Sequence, residues 1–311
     1  MMKNIKLLVL LPLFIVHISY TATPWYNRIL QECYPITCRL IDIAHFTNTK
    51  ARIAYYKTCN TETLLRHKKH IEKQLNHYKT ALLEKEKEIL TTIKQTFNIS
   101  HTDWNECLSK IEYTKKRNKH AMQLSSKKLS CHTQLPKNIT QPLFVILQEN
   151  GINPHAISLK SSPKKHNHIA HVTWNGNVNS NEYRLPKIVF FPRIHELFDD
   201  EITAVCAHEV THIALQHKVV KECIIECIHK SSHLTRKEIT EHHAYKALVH
   251  IHEAQAEIIP AATKAEYAHC IKQLRSLHFY AHGNLHENHY RQINSINQLW
   301  KLHQWIMEKS N

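Results

Sequence analysis

The chain has 311 residues, with 41 Lys and Arg against 26 Asp and Glu, which gives a formal net charge of +15. A hydrophobic fraction of 42% is ordinary for a chain that buries a core, so the length fits one large domain or two modest ones. The chain has only 3 glycines, and tight turns and strand bulges depend on glycine. These numbers argue against a sheet-rich protein and predict a mainly α fold (α+β) with a small β-sheet.

The basic excess is spread along the chain, with its densest runs at 66–70, 115–117 and 164–166. Such a charge could favour nucleic acid, acidic proteins or anionic lipid. No basic motif interleaved with aromatic residues, as in known nucleic-acid modules, is present. We therefore interpret the charge as a solvated surface and expect no nucleic-acid partner, whereas peripheral association with a membrane stays open.

Residues 1–22 have the pattern of an export signal. Lys3 and Lys6 precede an apolar stretch from Leu7 to Val16, and cleavage after Ala22 would fit. Ten apolar residues cover only about half of a membrane-spanning helix, which disfavours the alternative of a retained anchor. The pattern predicts an exported protein, periplasmic or secreted, whose membrane association is open.

The nine cysteines suit an oxidising compartment, and their odd number leaves at least one unpaired. We expect buried thiols together with a few disulfide bridges in the N-terminal half. Cys223 and Cys227 lack the C-x-x-C spacing of common zinc knuckles, so we expect no cysteine metal site.

Residues 23–140 are predicted to form a helical accessory region. A stretch free of glycine and proline runs from Thr61 to about Phe97 with apolar residues at helical spacing, and a second runs from about Thr102 to Leu129. The two helices could pair as a long antiparallel hairpin. Packing or partner contact is the expected role of this region.

The composition changes around Pro136 to Pro142, and we place a domain boundary near residue 140. A helix is predicted before a stop at Gly151, followed by strands at 156–160, 168–174 and 187–192. Residues 141–311 are therefore expected to form a second domain, in which a small sheet directly precedes the next helix.

That next helix carries the motif H-E-x-x-H at His208, Glu209 and His212. Histidines four residues apart project from one helix face, where two imidazoles can share a tetrahedral zinc ion. Glu209 would then deprotonate a water molecule instead of binding the metal. With 28 histidines in the chain the motif alone is not decisive, but acidic residues at 199–201 and the apolar residues around the motif support a true helix. His217 and Lys218 are interpreted as cationic residues near the end of that helix.

Two histidines leave a zinc ion short of a ligand, and the downstream stretch HIHEAQAEIIP offers one. Thr235 and Glu238 form a capping box, which predicts a helix from there to Pro260. Glu253 and Glu257 lie four apart on that helix, where two carboxylates repel unless a cation is near.

The paired motifs resemble those of the CAAX prenyl endopeptidase and HtpX-like zinc metallopeptidases, whose second motif is E-x-x-A-D and reads Glu253-Ala254-Gln255-Ala256-Glu257 here. The resemblance implies a zincin-like helical core, one Zn²⁺ per chain with Glu253 as its third ligand, and Glu257 as the acid that orients a ligand histidine. It extends upstream to NEYRLPKIVFF, although the usual Gly-Gly is missing, and covers about residues 141–295.

The same resemblance implies an edge strand near Asn181 to Leu185 that pairs with the substrate backbone. Candidates for stabilising the oxyanion of the reaction are His282, His286, His289 and Arg291.

The sequence thus predicts an exported zinc metalloendopeptidase that acts on protein or peptide substrates, with envelope or misfolded proteins suggested by the resemblance alone. An alternative is an exported basic binding or chaperone-like protein that uses the zinc fold as a scaffold. A nucleic-acid binder comes third.

Overall fold

The computed structural model describes residues 46–124, 135–163, 169–174, 186–282 and 287–310. This part of the chain is mostly helical with one small sheet, which confirms the mainly α prediction. The predicted export signal lies outside the described residues. Within them, no helix is both long and apolar enough to cross a bilayer.

The elements follow one another along the chain as follows: α1 (46–56), α2 (Thr61–Thr96), α3 (His101–Leu124), α4 (Lys137–Glu149), β1 (Ser158–Ser161), β2 (Ala170–Trp174), β3 (Pro186–Phe190), α5 (Asp199–Ala214), α6 (His217–Ser232), α7 (Arg236–Glu241), α8 (His243–Thr263), α9 (Ala265–His282) and α10 (Glu287–Ser310). The predicted long helix from Thr61 and the three predicted strands are therefore confirmed.

The chain divides into two compact units. Among the described residues, unit 1 combines 46–69 with those from 275 onward, and unit 2 comprises those between 70 and 274. This division does not fall at residue 140, where the sequence suggested a boundary, and residues 70–124 share unit 2 with α4 to α8. In the described part of unit 1, α1 meets α10, where the Thr49 hydroxyl donates to Oε1 of Gln298 at 2.8 Å.

Helix α3 packs mainly against α6. Its buried side carries Trp104, Cys107 and Ile111, and these join Cys223 and Ile224 of α6 in one apolar cluster. The main packing partner of α3 is therefore not α2, as the predicted hairpin would have it, because α6 covers the apolar face of α3. The described cysteines are free thiols, and all but Cys59 are buried.

The three strands form one sheet in the order β1-β3-β2. β1 runs parallel to β3, and β2 runs antiparallel to it, with Val172 opposite Ile188. Among the described strands β2 is thus at one edge, and this strand packs against α5. Gly151, at the end of α4, has a φ of +68°, the left-handed conformation that ends helices and that glycine adopts without steric cost.

Helix α5 lies in the centre of unit 2, packed against α4, α8 and β2. Ten of its side chains are buried, including Ile202, Val210 and Ile213, which are fully buried. Its first turn holds the predicted acidic residues, and Glu201 accepts a hydrogen bond from the backbone N–H of Phe198 at 2.8 Å. These contacts fix the helix that carries the H-E-x-x-H motif.

The helix predicted from Thr235 to Pro260 is two helices in the structure, and the second of them ends three residues later than predicted. Thr235 and Glu238 form the expected capping box, but the chain turns at His242, whose ψ is 138°, so that α7 and α8 are separate helices. α8 then continues past Pro260 to Thr263. Pro260 removes one backbone hydrogen bond, and both Pro260 and the following Ala261 are buried.

Candidate metal centre

Two neighbouring helices bring together three side chains that could hold a metal ion. His208 and His212 lie one turn apart on α5, and Glu253 lies on α8. Oε2 of Glu253 is 3.3 Å from Nε2 of His208 and 3.5 Å from Nε2 of His212, and the two Nε2 atoms are 3.0 Å apart. Within the described residues this is the one group of three such side chains whose ligand atoms converge closely enough to hold a metal ion.

The spacing of the three atoms can be compared with a zinc site. Donors about 2.0–2.1 Å from a tetrahedral zinc ion lie about 3.3–3.4 Å from one another. The three distances in the cluster, 3.0, 3.3 and 3.5 Å, scatter around that value. Two imidazoles and one carboxylate are also the donor set of catalytic zinc, with the fourth position left to water. Size and chemistry therefore both fit zinc.

One side of the cluster is exposed to solvent and the other is buried. The side chain of Glu253 is 41% exposed, whereas that of His212 is only 12% exposed. Burial opposes the charge on Glu253, but its contacts with His208 and His212 hold the pKa of this carboxyl well below its usual range. Burial lowers the pKa of His212 to about 4. At neutral pH the cluster therefore contains a carboxylate and a neutral His212, the forms that bind a metal ion.

Glu209 lies between the two histidines on α5 and is buried. Burial raises the pKa of its carboxyl to about 7, and the negative charge of Glu253 acts in the same direction. The nearby His208 and a hydrogen bond from the backbone N–H of Val172 limit this rise. Because Val172 belongs to β2, the outer edge of the sheet faces Glu209. A carboxyl group with a pKa near 7 can both accept and release a proton at neutral pH.

A very short connection places His217 behind the cluster. α5 ends at Ala214 and α6 begins at His217, with Gln216 in the left-handed conformation at a φ of 56°. The side chain of Gln216 donates to the carbonyl of Lys115 at 2.7 Å and accepts from the amide of Asn118 at 3.1 Å. Both partners lie on α3, which therefore anchors the turn.

His217 contacts the ring of His212 at Nδ1, on the side opposite the Nε2 atom that faces His208 and Glu253. Nδ1 of His217 is 2.7 Å from Nδ1 of His212, and Nε2 of His217 is 2.8 Å from Oε1 of Gln255 on α8. The interpretation of His217 as a cationic helix end is wrong, because its side chain is buried at 1% exposure and burial holds its pKa well below the usual range.

Hydrogen bonds connect Gln255 and His252 of α8 to residues of α2. The amide nitrogen of Gln255 is 3.2 Å from the carbonyl oxygen of Leu82 and 2.8 Å from Oε2 of Glu86. The other carboxylate oxygen of Glu86 is 3.2 Å from Nε2 of His252, whose ring stacks on that of His217 at 4.1 Å between centroids and 5° between planes. Burial opposes the charge of Glu86, but its hydrogen bonds to His252 and Gln255 lower its pKa.

Lys221, one turn after His217 on α6, adds a positive charge near the cluster. Burial lowers the pKa of its ammonium group, and the nearby carboxylates of Glu253 and Glu209 act in the opposite direction. Lys221, His217 and Glu86 belong to no recognisable motif spacing, so the sequence did not identify them as residues of the site. The available signal was the presence of polar residues, His252 and Gln255, among the apolar residues of α8.

The remaining predicted site residues are placed as follows. Glu257 is buried on α8, one turn beyond Glu253, and its role in orienting a ligand histidine stays a prediction. Arg291 is exposed on α10 of unit 1, whereas the cluster belongs to unit 2. Asn181 and His286 lie outside the described residues.

Comparisons of the chain with protein-family models, with curated proteins and with solved structures give no match.

Proposed function

We propose that the chain is a zinc-dependent endopeptidase with a zincin-like core. One observation carries this proposal: two histidines and a carboxylate converge at the spacing of zinc ligands beside a buried carboxyl group of raised pKa. A structural zinc site needs no such acid, because it is closed by four protein ligands and has no proton to move. The export and the periplasmic or secreted location are part of the same proposal and rest on residues 1–22.

Three side chains would hold the ion: His208 and His212 from α5 and Glu253 from α8. Zinc bound there would supply a Lewis acid that lowers the pKa of water and polarises a carbonyl group. The exposure of Glu253, at 41%, leaves one side of the cluster open to water and to a peptide. The burial of His212 keeps the opposite side dry and its ring fixed.

Glu209 would move the proton in this reaction. Hydrolysis of a peptide bond requires a base that takes a proton from the attacking water and an acid that gives a proton to the leaving amine. A carboxyl group with a pKa of about 7 suits both steps at neutral pH. The hydrogen bond from the backbone N–H of Val172 keeps its carboxylate in place.

Protein or peptide chains are the proposed substrates. Glu209 contacts the outer edge of β2, and an extended peptide can add to such an edge through backbone hydrogen bonds. The edge strand predicted from the sequence near Asn181 to Leu185 lies outside the described residues. Lys221 offers a positive charge near Glu209 and Glu253 that could face the developing oxyanion.

The test compares the purified chain with its Glu209→Gln and Glu253→Gln variants by elemental analysis of zinc and by cleavage of casein. Because the chain holds 28 histidines, a His208→Gln/His212→Gln double variant gives the zinc content of other sites. We expect one zinc above this background in the wild type and in Glu209→Gln, and none in Glu253→Gln. Cleavage at the full rate is expected in the wild type alone, with Glu209→Gln slowed at least about 100-fold.

The possible results separate the functional classes. Zinc in the wild type without cleavage of casein or of a mixed peptide library would contradict the endopeptidase and favour the scaffold role of a binding protein. Absence of zinc above background in a folded wild type would refute the metal centre itself.

A further inference from the structure

The hydrogen bonds behind His212 have a fixed direction, and Gln255 determines it. Its amide nitrogen faces the carbonyl oxygen of Leu82 and the carboxylate of Glu86, at 3.2 and 2.8 Å. Both of these groups only accept hydrogen bonds. The amide must therefore direct its two N–H groups to them, which leaves its oxygen facing Nε2 of His217 at 2.8 Å.

This orientation determines the tautomer of His217. An amide oxygen only accepts, so Nε2 of His217 must carry a proton. The neutral ring then has its lone pair on Nδ1. A charged ring is disfavoured here, because His217 is 1% exposed and is stacked flat against the wholly buried His252.

The tautomer of His217 in turn determines that of His212. Its Nδ1 lies 2.7 Å from the Nδ1 lone pair of His217, so the Nδ1–H of His212 must donate. The lone pair of His212 is thereby on Nε2, the atom that faces Glu253 and His208. Only this tautomer can bind a metal ion at that atom, whereas the other would place an N–H group there.

Glu86 completes the arrangement from α2. Its two carboxylate oxygens accept from Gln255 and from His252, so they fix both the amide and the ring that stacks on His217. In the described residues Nδ1 of His252 has no hydrogen-bond partner, which leaves its Nε2–H as the donating group. The side chain of Glu86 is only 14% exposed, so water competes little for these contacts.

We infer that Glu86, Gln255 and His217 are positioning residues of the metal centre, which together hold His212 in the tautomer that binds zinc through Nε2. The inference rests on the proposed function in that zinc is the bound ion. It assigns a role to α2, which the sequence placed in an accessory region. These residues then contribute to the centre by fixing which nitrogen of His212 carries the proton, as well as by packing.

The test measures the zinc affinity of the full chain by competition with a chromophoric chelator. His217→Phe keeps a ring of similar size against His252 but removes both nitrogens. His217→Asn removes the ring but retains an acceptor oxygen close to the position of Nδ1. We expect the Phe variant to bind zinc about 10- to 100-fold more weakly than the wild type, and the Asn variant to recover most of that loss.

The paired variants separate positioning from packing. If His217 served packing alone, the Phe variant would keep its affinity and the Asn variant would lose it, which is the opposite order. Gln255→Met, which removes the acceptor for His217 at similar volume, is expected to weaken zinc binding as well and serves if either His217 variant fails to fold. Circular dichroism of each metal-free protein identifies the folded variants.

The outcomes also distinguish this inference from the proposed function. A wild type that binds zinc above the background of the His208→Gln/His212→Gln variant, with unchanged affinity in His217→Phe and Gln255→Met, overturns the positioning role and leaves the metal centre intact. A wild type with no zinc above background overturns both.

Discussion

Replacement of Glu86 by methionine should destabilise unit 2 even without a metal ion. Methionine has a similar volume but only a weakly accepting sulfur, so the buried N–H groups of Gln255 and His252 that point at Glu86 would lose their carboxylate partner. A buried donor left unsatisfied costs about 1–3 kcal/mol. The release of a buried carboxylate from its unfavourable environment offsets part of this cost. The expected loss of unfolding free energy is therefore about 2–4 kcal/mol for the two donors together.

Glu84 provides the matched control on the same helix. Its side chain is 65% exposed, and it pairs with Lys87 at 2.8 Å in an i,i+3 ion pair. Such surface pairs contribute about 0.3–0.5 kcal/mol. Urea unfolding followed by circular dichroism in the presence of EDTA, at pH 7, should therefore show a large shift of the midpoint for Glu86→Met and a small one for Glu84→Met. Equal shifts would refute the reasoning.

The effect of Glu86 should also depend on pH with a defined sign. Its hydrogen bonds lower the pKa of the carboxyl in the folded chain, although burial opposes this. A depressed carboxyl pKa contributes stability that is fully present above the unfolded value of about 4.3 and is lost as the pH falls through the lower, folded value. The contribution of the Glu86 carboxylate to the difference between wild type and Glu86→Met should thus shrink as the pH falls below about 4. A difference that keeps growing below about pH 4 would contradict this assignment.

Two further predictions concern the fold and the metal. Gly151→Ala should lower the unfolding free energy by about 1 kcal/mol, measured by urea unfolding, because φ is +68° although a Cβ would meet no atom within 4 Å; an unchanged midpoint would contradict a strained backbone as the reason. Free zinc at about 100 times its dissociation constant should stabilise the wild type by about 2.7 kcal/mol, seen as a rise in thermal midpoint that EDTA reverses. The Glu253→Gln variant should show little of this rise, and an equal rise would place the stabilising zinc elsewhere.

Local spacing predicted the two histidines of the candidate centre, whereas the resemblance to a peptidase family pointed to Glu253 as their partner. His208 and His212 share a helix face because they are four residues apart, and Glu253 lies on a second helix whose capping box at Thr235 was also recognised. The other residues around the centre depend on which helices pack against each other, and the local periodicity of the sequence does not determine this packing. His217 therefore resembled a charged helix end in the sequence, while in the fold it is buried against His212.

The same limit applied to the long helices. The apolar period of residues 61–96 predicted a helix, and the structure has one there. That period could not reveal that Glu86 turns inward to Gln255 and His252, because a single buried carboxylate among many exposed charges leaves the amphipathic pattern unchanged. The pairing of α3 with α6 instead of α2 depended on the same kind of long-range packing.

The connection between α5 and α6 consists of only Leu215 and Gln216. One added residue would rotate the start of α6 by about 100° and shift it by about 1.5 Å if the helix continued its own geometry. Nδ1 of His217 could not then meet His212 while Gln216 kept its bonds to α3. Loops usually accept changes in length, but the length of this connection fixes the distance between the imidazole rings of His212 and His217. An insertion here would separate His217 from His212 while leaving His208, His212 and Glu253 in the sequence.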